Sequence, residues 1–244
     1  MTLTMFCVVV GWFLGGFTSG VAGFGAMMVA LPILTLGMPP AQAVLVSCIV
    51  GAPSCTHLAW LYHRDVVWAD MRWLWLGCLP GCLAGAFVLK VVPMHYLQVS
   101  ISLMIACFVL LQILREKSVW RLPDSKASLL ITGMASGFTN STVSVPGVPI
   151  GIFVVLKRWD KDRARATMSM VFLLSCWGTL FSQWYAGLYT RDMLYLALGG
   201  IVISFLGQEL GFRLGRHLKQ ETFVRFMLIF LSCAAVILFY KAIR

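Results

Sequence analysis

The apolar run from residue 3 to residue 37 is cut in its middle by Gly16-Phe17-Thr18-Ser19-Gly20-Val21-Ala22-Gly23-Phe24-Gly25-Ala26. Glycine costs about 1 kcal/mol in a helix interior relative to alanine. Gly20, Gly23 and Gly25, beside Thr18 and Ser19, therefore predict that the chain unwinds across this stretch. The feature returns 121 residues later, where Gly137-Phe138-Thr139 repeats Gly16-Phe17-Thr18 and leads into Asn140-Ser141-Thr142-Val143-Ser144-Val145-Pro146-Gly147-Val148-Pro149. This second copy cuts the apolar run 127–156. Backbone that leaves a helix inside a hydrocarbon layer costs several kcal/mol per unpaired peptide group unless protein or a cavity surrounds it. Both interruptions are thus expected at the centre of the molecule, facing one another.

The hydrocarbon layer follows from composition. Of 244 residues 60% are hydrophobic and 11% charged, with a mean hydropathy of +0.88, against about 25% charged in a soluble domain. The expectation is an all-α polytopic membrane protein forming one transmembrane domain over 1–244. Further runs near the ~20 residues that cross a bilayer lie at 42–61, 73–92, 96–114, 166–186, 193–211 and 223–240. Residues 1–20 carry no Lys or Arg and no small-x-small cleavage site, so they read as a mature segment, not a secretory signal. The net charge of +10 sits in loops between apolar runs, which fits retention of cytoplasmic loops and argues against nucleic acid as a partner. All eight cysteines fall inside apolar runs and read as buried packing. Only Cys78 and Cys82 approach a ligand spacing, with no histidine near, so neither a metal nor a cofactor is expected.

The repeat extends past the interruptions. Asp70-Met71-Arg72-Trp73-Leu74 is answered by Asp192-Met193-Leu194-Tyr195-Leu196, Leu76-Gly77 by Leu198-Gly199, and Gly85 by Gly207. Two homologous halves, 1–122 and 123–244, follow, a plan common among transporters. If each interrupted segment crosses the membrane once, the basic residues divide almost evenly between the two sides. If each dips in and returns, fifteen of the nineteen Lys and Arg share one face, opposed by Lys90, Arg191, Lys241 and Arg244. The second arrangement gives the cytoplasmic excess that topology demands. It makes the halves two inverted-topology repeats, each a broken re-entrant helical hairpin plus three transmembrane helices. Arms of ~15 residues reach only ~23 Å, too short for two full spans. Both termini are then extracytoplasmic in a multi-pass protein of the cell (inner) membrane.

A helix that begins at mid-membrane presents free N–H groups and about +0.5 of effective charge, a ready anion site. Arms starting after Gly25 and after Pro146 would do so, and proline suits a first helical turn. The substrate-binding candidates are therefore Thr18, Ser19, Gly20, Gly23, Phe24, Gly25, Thr139, Asn140, Ser141, Ser144, Pro146 and Gly147. Any one hydroxyl or amide among them also fits a helix cap; the set fits a polar cavity. The glycines alone also fit close helix packing of the small-x-x-x-small kind. His57 reads as interfacial. Glu209 and Arg213 read as an i, i+4 pair, and the Trp and Tyr residues near span ends as interfacial belts.

Gly16-x-x-Ser19-Gly20-x-x-Gly23-x-Gly25, followed by an apolar run and Pro39-Pro40-Ala41-Gln42-Ala43, resembles the TauE/SafE family of sulfite and organosulfonate permeases. Pro146-Gly147-Val148-Pro149, about ten apolar residues, and then Trp159-Asp160-Lys161-Asp162-Arg163-Ala164-Arg165-Ala166-Thr167 resemble that family's second-repeat signature. Ala26 stands where many members carry a further glycine. The resemblance implies a secondary transporter of a small sulfur-containing or organic anion such as sulfite, thiosulfate or a sulfonate. The expected partners are that anion, the lipid bilayer and at most a second copy in a homodimer. An anion channel is the main alternative. An intramembrane enzyme is the weaker one, since none of the nine carboxylates lies near mid-span, and no enzymatic activity is expected.

Overall fold

A computed structural model describes residues 2–63, 68–93, 125–157 and 161–215, together with the isolated positions 66, 96, 99, 100, 103, 106 and 110. Among the described residues the regular structure is helical, in eight main helices: α1 (Thr2–Ala22), α2 (Ala26–Gly37), α3 (Pro40–Tyr62), α4 (Trp68–Val91), α5 (Lys126–Val143), α6 (Gly147–Lys157), α7 (Lys161–Tyr185) and α8 (Arg191–Gly215). The expected runs 42–61, 73–92, 166–186 and 193–211 correspond to α3, α4, α7 and α8. Run 96–114 is described only at the isolated positions given above, and run 223–240 lies outside the described residues, as do Cys107, Cys233, Trp120, Trp159 and Tyr240.

Among the described residues four helices are long and apolar enough to cross a membrane: Leu3–Val21, Pro40–Tyr62, Trp68–Val91 and Arg191–Leu214. They turn large apolar side chains outward, Leu79, Leu83 and Phe87 on α4 and Leu198, Val202 and Leu206 on α8. Hydroxyls and amides such as Ser54, Asn140, Gln183 and Gln208 are buried instead. Exposed apolar area on this scale suits a lipid surround.

Helix ends follow local chemistry. Asp70 and Asp192 stand in the first turns of α4 and α8, Lys90 and Arg213 in their last turns, as the helix dipole favours. Ser125 caps α5, accepting the Ser128 N–H at 3.2 Å. Pro40 opens α3 at a position where a missing N–H does no harm.

The first interruption is shorter than the sequence suggested. Gly16, Thr18, Ser19 and Gly20 are helical residues of α1, and the chain leaves the helix only at Gly23 (φ 81°) and Gly25 (φ 95°). Glycine occupies such left-handed conformations without steric cost. Gly16 and Gly20 serve packing instead, pressing α1 against the backbone of α8 at Ser204 and Gln208. The close-packing reading therefore holds for these two glycines. The second interruption has the same length, three residues, with Ser144 (φ 58°) following the end of α5 and Gly147 beginning α6.

The arms are also unequal, 21 and 12 residues in the first hairpin and 18 and 11 in the second. At 1.5 Å per residue α1 is about 32 Å long, enough to cross the hydrocarbon by itself, whereas α2 and α6 reach about half that. The expectation of two ~15-residue arms is corrected accordingly. α1 and α2 run antiparallel, and Thr4 Oγ1 donates to the Gly37 carbonyl at 2.8 Å, bringing the ends of the hairpin together.

Helix pairing is unchanged when 1–122 is exchanged with 123–244. α1 packs on α8 as α5 packs on α4, α3 on α8 as α7 on α4, α2 on α3 as α6 on α7, and α3 and α7 pack on each other.

Candidate functional site

The starts of the two short arms meet at one cavity. Gly25 and Ala26 open α2, Pro146 and Gly147 precede and open α6, and all four line a space of about 30 Å³, room for a water or two. Gly25 gives α2 no side-chain cap, so the first N–H groups of α2 are left without a side-chain partner. The remaining wall is largely apolar, with Phe24, Met27, Met28, Leu58 and Phe172, joined by Ser19, Ser54, Cys55 and Gln208. Among the described residues that line it there is no Lys, Arg, Asp or Glu.

The polar side chains of this wall form one network across three helices. Gln208 of α8 donates from Nε2 to Ser19 Oγ of α1 at 3.3 Å and to the Ser54 carbonyl of α3 at 3.2 Å. Its Oε1 accepts from His57 Nδ1 at 2.9 Å. Ser54 and Ser204 share a hydroxyl contact of 2.8 Å. His57, half-buried near the end of α3, is thus tied into this network. A buried amide with both ends engaged holds its orientation, so Gln208 ties α1, α3 and α8 together beside the α2 start.

A second network surrounds the end of α5. Asn140 Nδ2 donates to Thr179 Oγ1 at 3.1 Å, and Thr179 Oγ1 in turn to Cys82 Sγ at 3.4 Å. Gln183 Nε2 donates to the Ser141 carbonyl at 2.9 Å and its Oε1 accepts from Tyr189 at 2.7 Å. Burial pushes the Tyr189 phenol, in the loop between α7 and α8, well above its ordinary pKa, so it stays a neutral donor. Ser144 Oγ lies 3.4 Å from Cys48 Sγ and 3.5 Å from Met27 Sδ. Asn140 Oδ1, Ser141 Oγ and Ser175 Oγ are buried without a protein partner.

Of the twelve candidates, Ser19, Phe24, Gly25, Pro146 and Gly147 line the cavity. Gly23 makes the turn beside it. Thr18 returns its hydroxyl to the Leu14 carbonyl, and Gly20 faces α8. Thr139 lines a separate space of about 290 Å³ between α4 and α5, and Asn140, Ser141 and Ser144 belong to the second network. The hydroxyls of Thr18, Ser19 and Thr139 bond back to carbonyls three or four residues earlier instead of capping a helix.

Sequence reasoning missed Gln208, Ser54 and Cys55. A lone amide in the middle of an apolar run was the available signal for the first. For the others it was the match of Ser54-Cys55 to Ser175-Cys176 at the repeat offset. Trp12 is buried and Trp75 half-buried, donating to the Met170 carbonyl at 3.2 Å, while Trp60, Trp68, Trp184 and Tyr185 are exposed at helix ends. The Glu209–Arg213 pair forms at 2.8 Å.

Outward apolar faces, buried polar networks and two interrupted hairpins meeting at an internal cavity define a multi-pass helical membrane protein. Residues 8–238 match the family described as sulfite exporter TauE/SafE, and the chain belongs to that family, whose members are membrane transporters. Comparisons with curated proteins and with solved structures give no match.

Proposed function

We propose that the protein is a secondary transporter of a small sulfur-containing or organic anion such as sulfite, thiosulfate or a sulfonate, and that among these it prefers the monoanions, bisulfite and short sulfonates, over dianions such as thiosulfate. The observation that carries this reading is the convergence of the α2 and α6 starts on one cavity that Ser19 and Gln208 also line. Two helix starts supply about +0.5 each, and the lining residues add neutral donors and no cation. A single negative charge is balanced there. A dianion would enter with about one charge uncompensated, at a cost of several kcal/mol. The apolar and sulfur-rich wall of Met27, Met28 and Cys55 suits a weakly hydrated, polarisable guest. The family's description speaks of sulfite export, which agrees with this substrate class.

We further propose that the halves 1–122 and 123–244 are inverted repeats whose hairpins are re-entrant, with both termini extracytoplasmic in the inner membrane. The exchange-invariant helix pairing and the distribution of the basic residues support this arrangement. Lipid is the partner of the exposed apolar faces. Single cysteines introduced near residues 120 and 160 should both label from the cytoplasmic side; labelling of only one refutes re-entry.

Proteoliposomes loaded with the purified protein test the transport reading directly. Uptake or efflux of sulfite and a short alkylsulfonate is expected, with thiosulfate carried less well, the alkylsulfonate competing at neutral pH and sulfate failing to compete. Equal inhibition by sulfate would refute the monoanion preference. Flux far beyond the ~10³ per second of enzyme-like turnover would make the protein a channel.

A further inference from the structure

Cys55 on α3 and Cys176 on α7 stand 121 residues apart, the repeat offset that relates Gly16 to Gly137. They are equivalent residues of the two halves, and in the fold they touch, with their free sulfurs 3.2 Å apart. A residue meets its own counterpart only where a two-fold relation passes between them. The next pair of equivalents repeats the crossing, Trp177 Nε1 donating to Thr56 Oγ1 at 3.0 Å. This second contact fixes the register of α3 on α7 and holds the two thiols together. Cys55 is half-buried and lines the cavity, whereas Cys176 lies fully buried behind it.

We propose that Cys55 and Cys176 form a dithiol site that reacts with small disulfide-type oxidants entering the cavity, becoming a disulfide that joins the two halves and holds the cavity shut. Cys55 starts the reaction, because it alone of the pair borders the cavity. As thiolate it attacks one sulfur of the reagent, forming a mixed disulfide and expelling one reagent thiolate. Cys176 then attacks the Cys55 sulfur and expels the second. The protein gives up two protons and two electrons, and the reagent's S–S bond receives them as two thiols. Bond formation asks the sulfurs to approach by about an ångström, within reach of side-chain rotation. The neighbouring thiols have other contacts: Cys48 lies against Ser144, and Cys78 against Cys82 one turn along α4. A Cys78–Cys82 bond would remain within one half, so a link between halves distinguishes the proposed site from that pair.

Closure follows because the cross-link fixes a cavity-lining residue and the α3–α7 crossing, while alternating access needs one repeat to rock against the other. That consequence rests on the transport reading above; the cross-link itself does not.

The test uses the full chain with a protease site inserted between residues 122 and 123, treated with 2-hydroxyethyl disulfide and then cut. The halves should run as one band without reductant and as two with dithiothreitol, and the intact mass should fall by about 2 Da. Cys55→Ser should give neither effect. Cys176→Ser should stop at the mixed disulfide, read as a mass gain on the Cys55 peptide, and Cys176→Ala repeats the test should the serine variant misfold. Halves that separate without reductant, or that stay joined in both single-site variants, overturn the site. In proteoliposomes, oxidised wild-type protein should lose uptake and recover it with reductant, and a complete cross-link with unchanged uptake overturns the closing role. Untreated protein that cross-links normally but transports none of the anions refutes the transport reading and leaves the dithiol site standing.

Discussion

The α4–α5 and α1–α8 seams occupy equivalent places in the two halves, yet they close differently. Gly77, Gly81 and Gly85 on α4 and Gly133 and Gly137 on α5 each meet the facing helix's backbone or Cβ, so that seam is zipped along its length. On the other side Gly16, Gly20, Gly207 and Gly211 make the same kind of contact, but Gly199, the counterpart of Gly77, faces open space. Trp12 stands where the second half has Gly133, and its buried indole lies against Gly200. In membranes, close packing of small residues is a main source of helix association. A tryptophan wedge gives up part of it. The seam so spread is the one that carries Ser19 and Gln208, the cavity's network of donors. The molecule therefore has a tight seam that holds it together and a looser one beside the cavity.

The largest effect expected from this comparison is at the tight seam. Gly81→Leu would drive a side chain into the Met134 carbonyl and the backbone beyond it, at about 3 kcal/mol, the upper range for overpacking. Loss of monodisperse protein and a lowered unfolding temperature in detergent should report it. Normal yield and stability would mean that the seam is not close-packed.

Gly25→Leu should act on function instead, because it imposes a side chain on a φ of 95° and fills the cavity mouth. Strain of order 1–3 kcal/mol is expected, with uptake abolished and membrane insertion retained. Wild-type uptake by a well-expressed variant would reduce Gly25 to a packing residue.

Gln208→Leu removes one donor and leaves Ser19 and His57 without their partner. A hydrogen bond to a charged guest is worth about 1.5–3 kcal/mol, so the concentration for half-maximal uptake should rise on the order of tenfold or more, with the fold intact. An unchanged value would take Gln208 out of the site.

The smallest effect separates the seams most cleanly. Gly199→Ala should be neutral or raise stability by up to about 1 kcal/mol through helix propensity, whereas Gly77→Ala at the equivalent place should lower it. Equal losses in thermal unfolding would erase the difference between the seams.

The sequence disclosed the described helices, since apolar runs are properties of the chain alone. It also placed both interruptions, because Gly23, Gly25 and Pro146 act locally. It misjudged the extent of the first one. Gly16 and Gly20 look like helix breakers until α8 is brought alongside, and Ser204 and Gln208 lie nearly 190 residues away. The same distance hid the partner of Gln208: a lone amide in an apolar run does not show what it meets until the seam sets it beside Ser19. Thr139 was misplaced for a geometric reason. One position before Asn140, it turns away from the interior network toward the space between α4 and α5.

Met27 and Met28 leave the first turn of α2 and end on two glycines, the Met27 methyl on Gly51 and the Met28 methyl on Gly147. Each is an unbranched thioether with three rotatable bonds, so each can swing aside without moving a helix. The absent Cβ atoms act as parking places: a methyl rests where another residue would have its own side chain. Rotamer changes are elementary events beside the μs–ms of hinge motion. The doorway can therefore flicker many times within one movement of the halves, and its volume at any instant is a property of two side chains. Gly51→Ala would evict the Met27 methyl from its resting place and turn a swing door into a wedge.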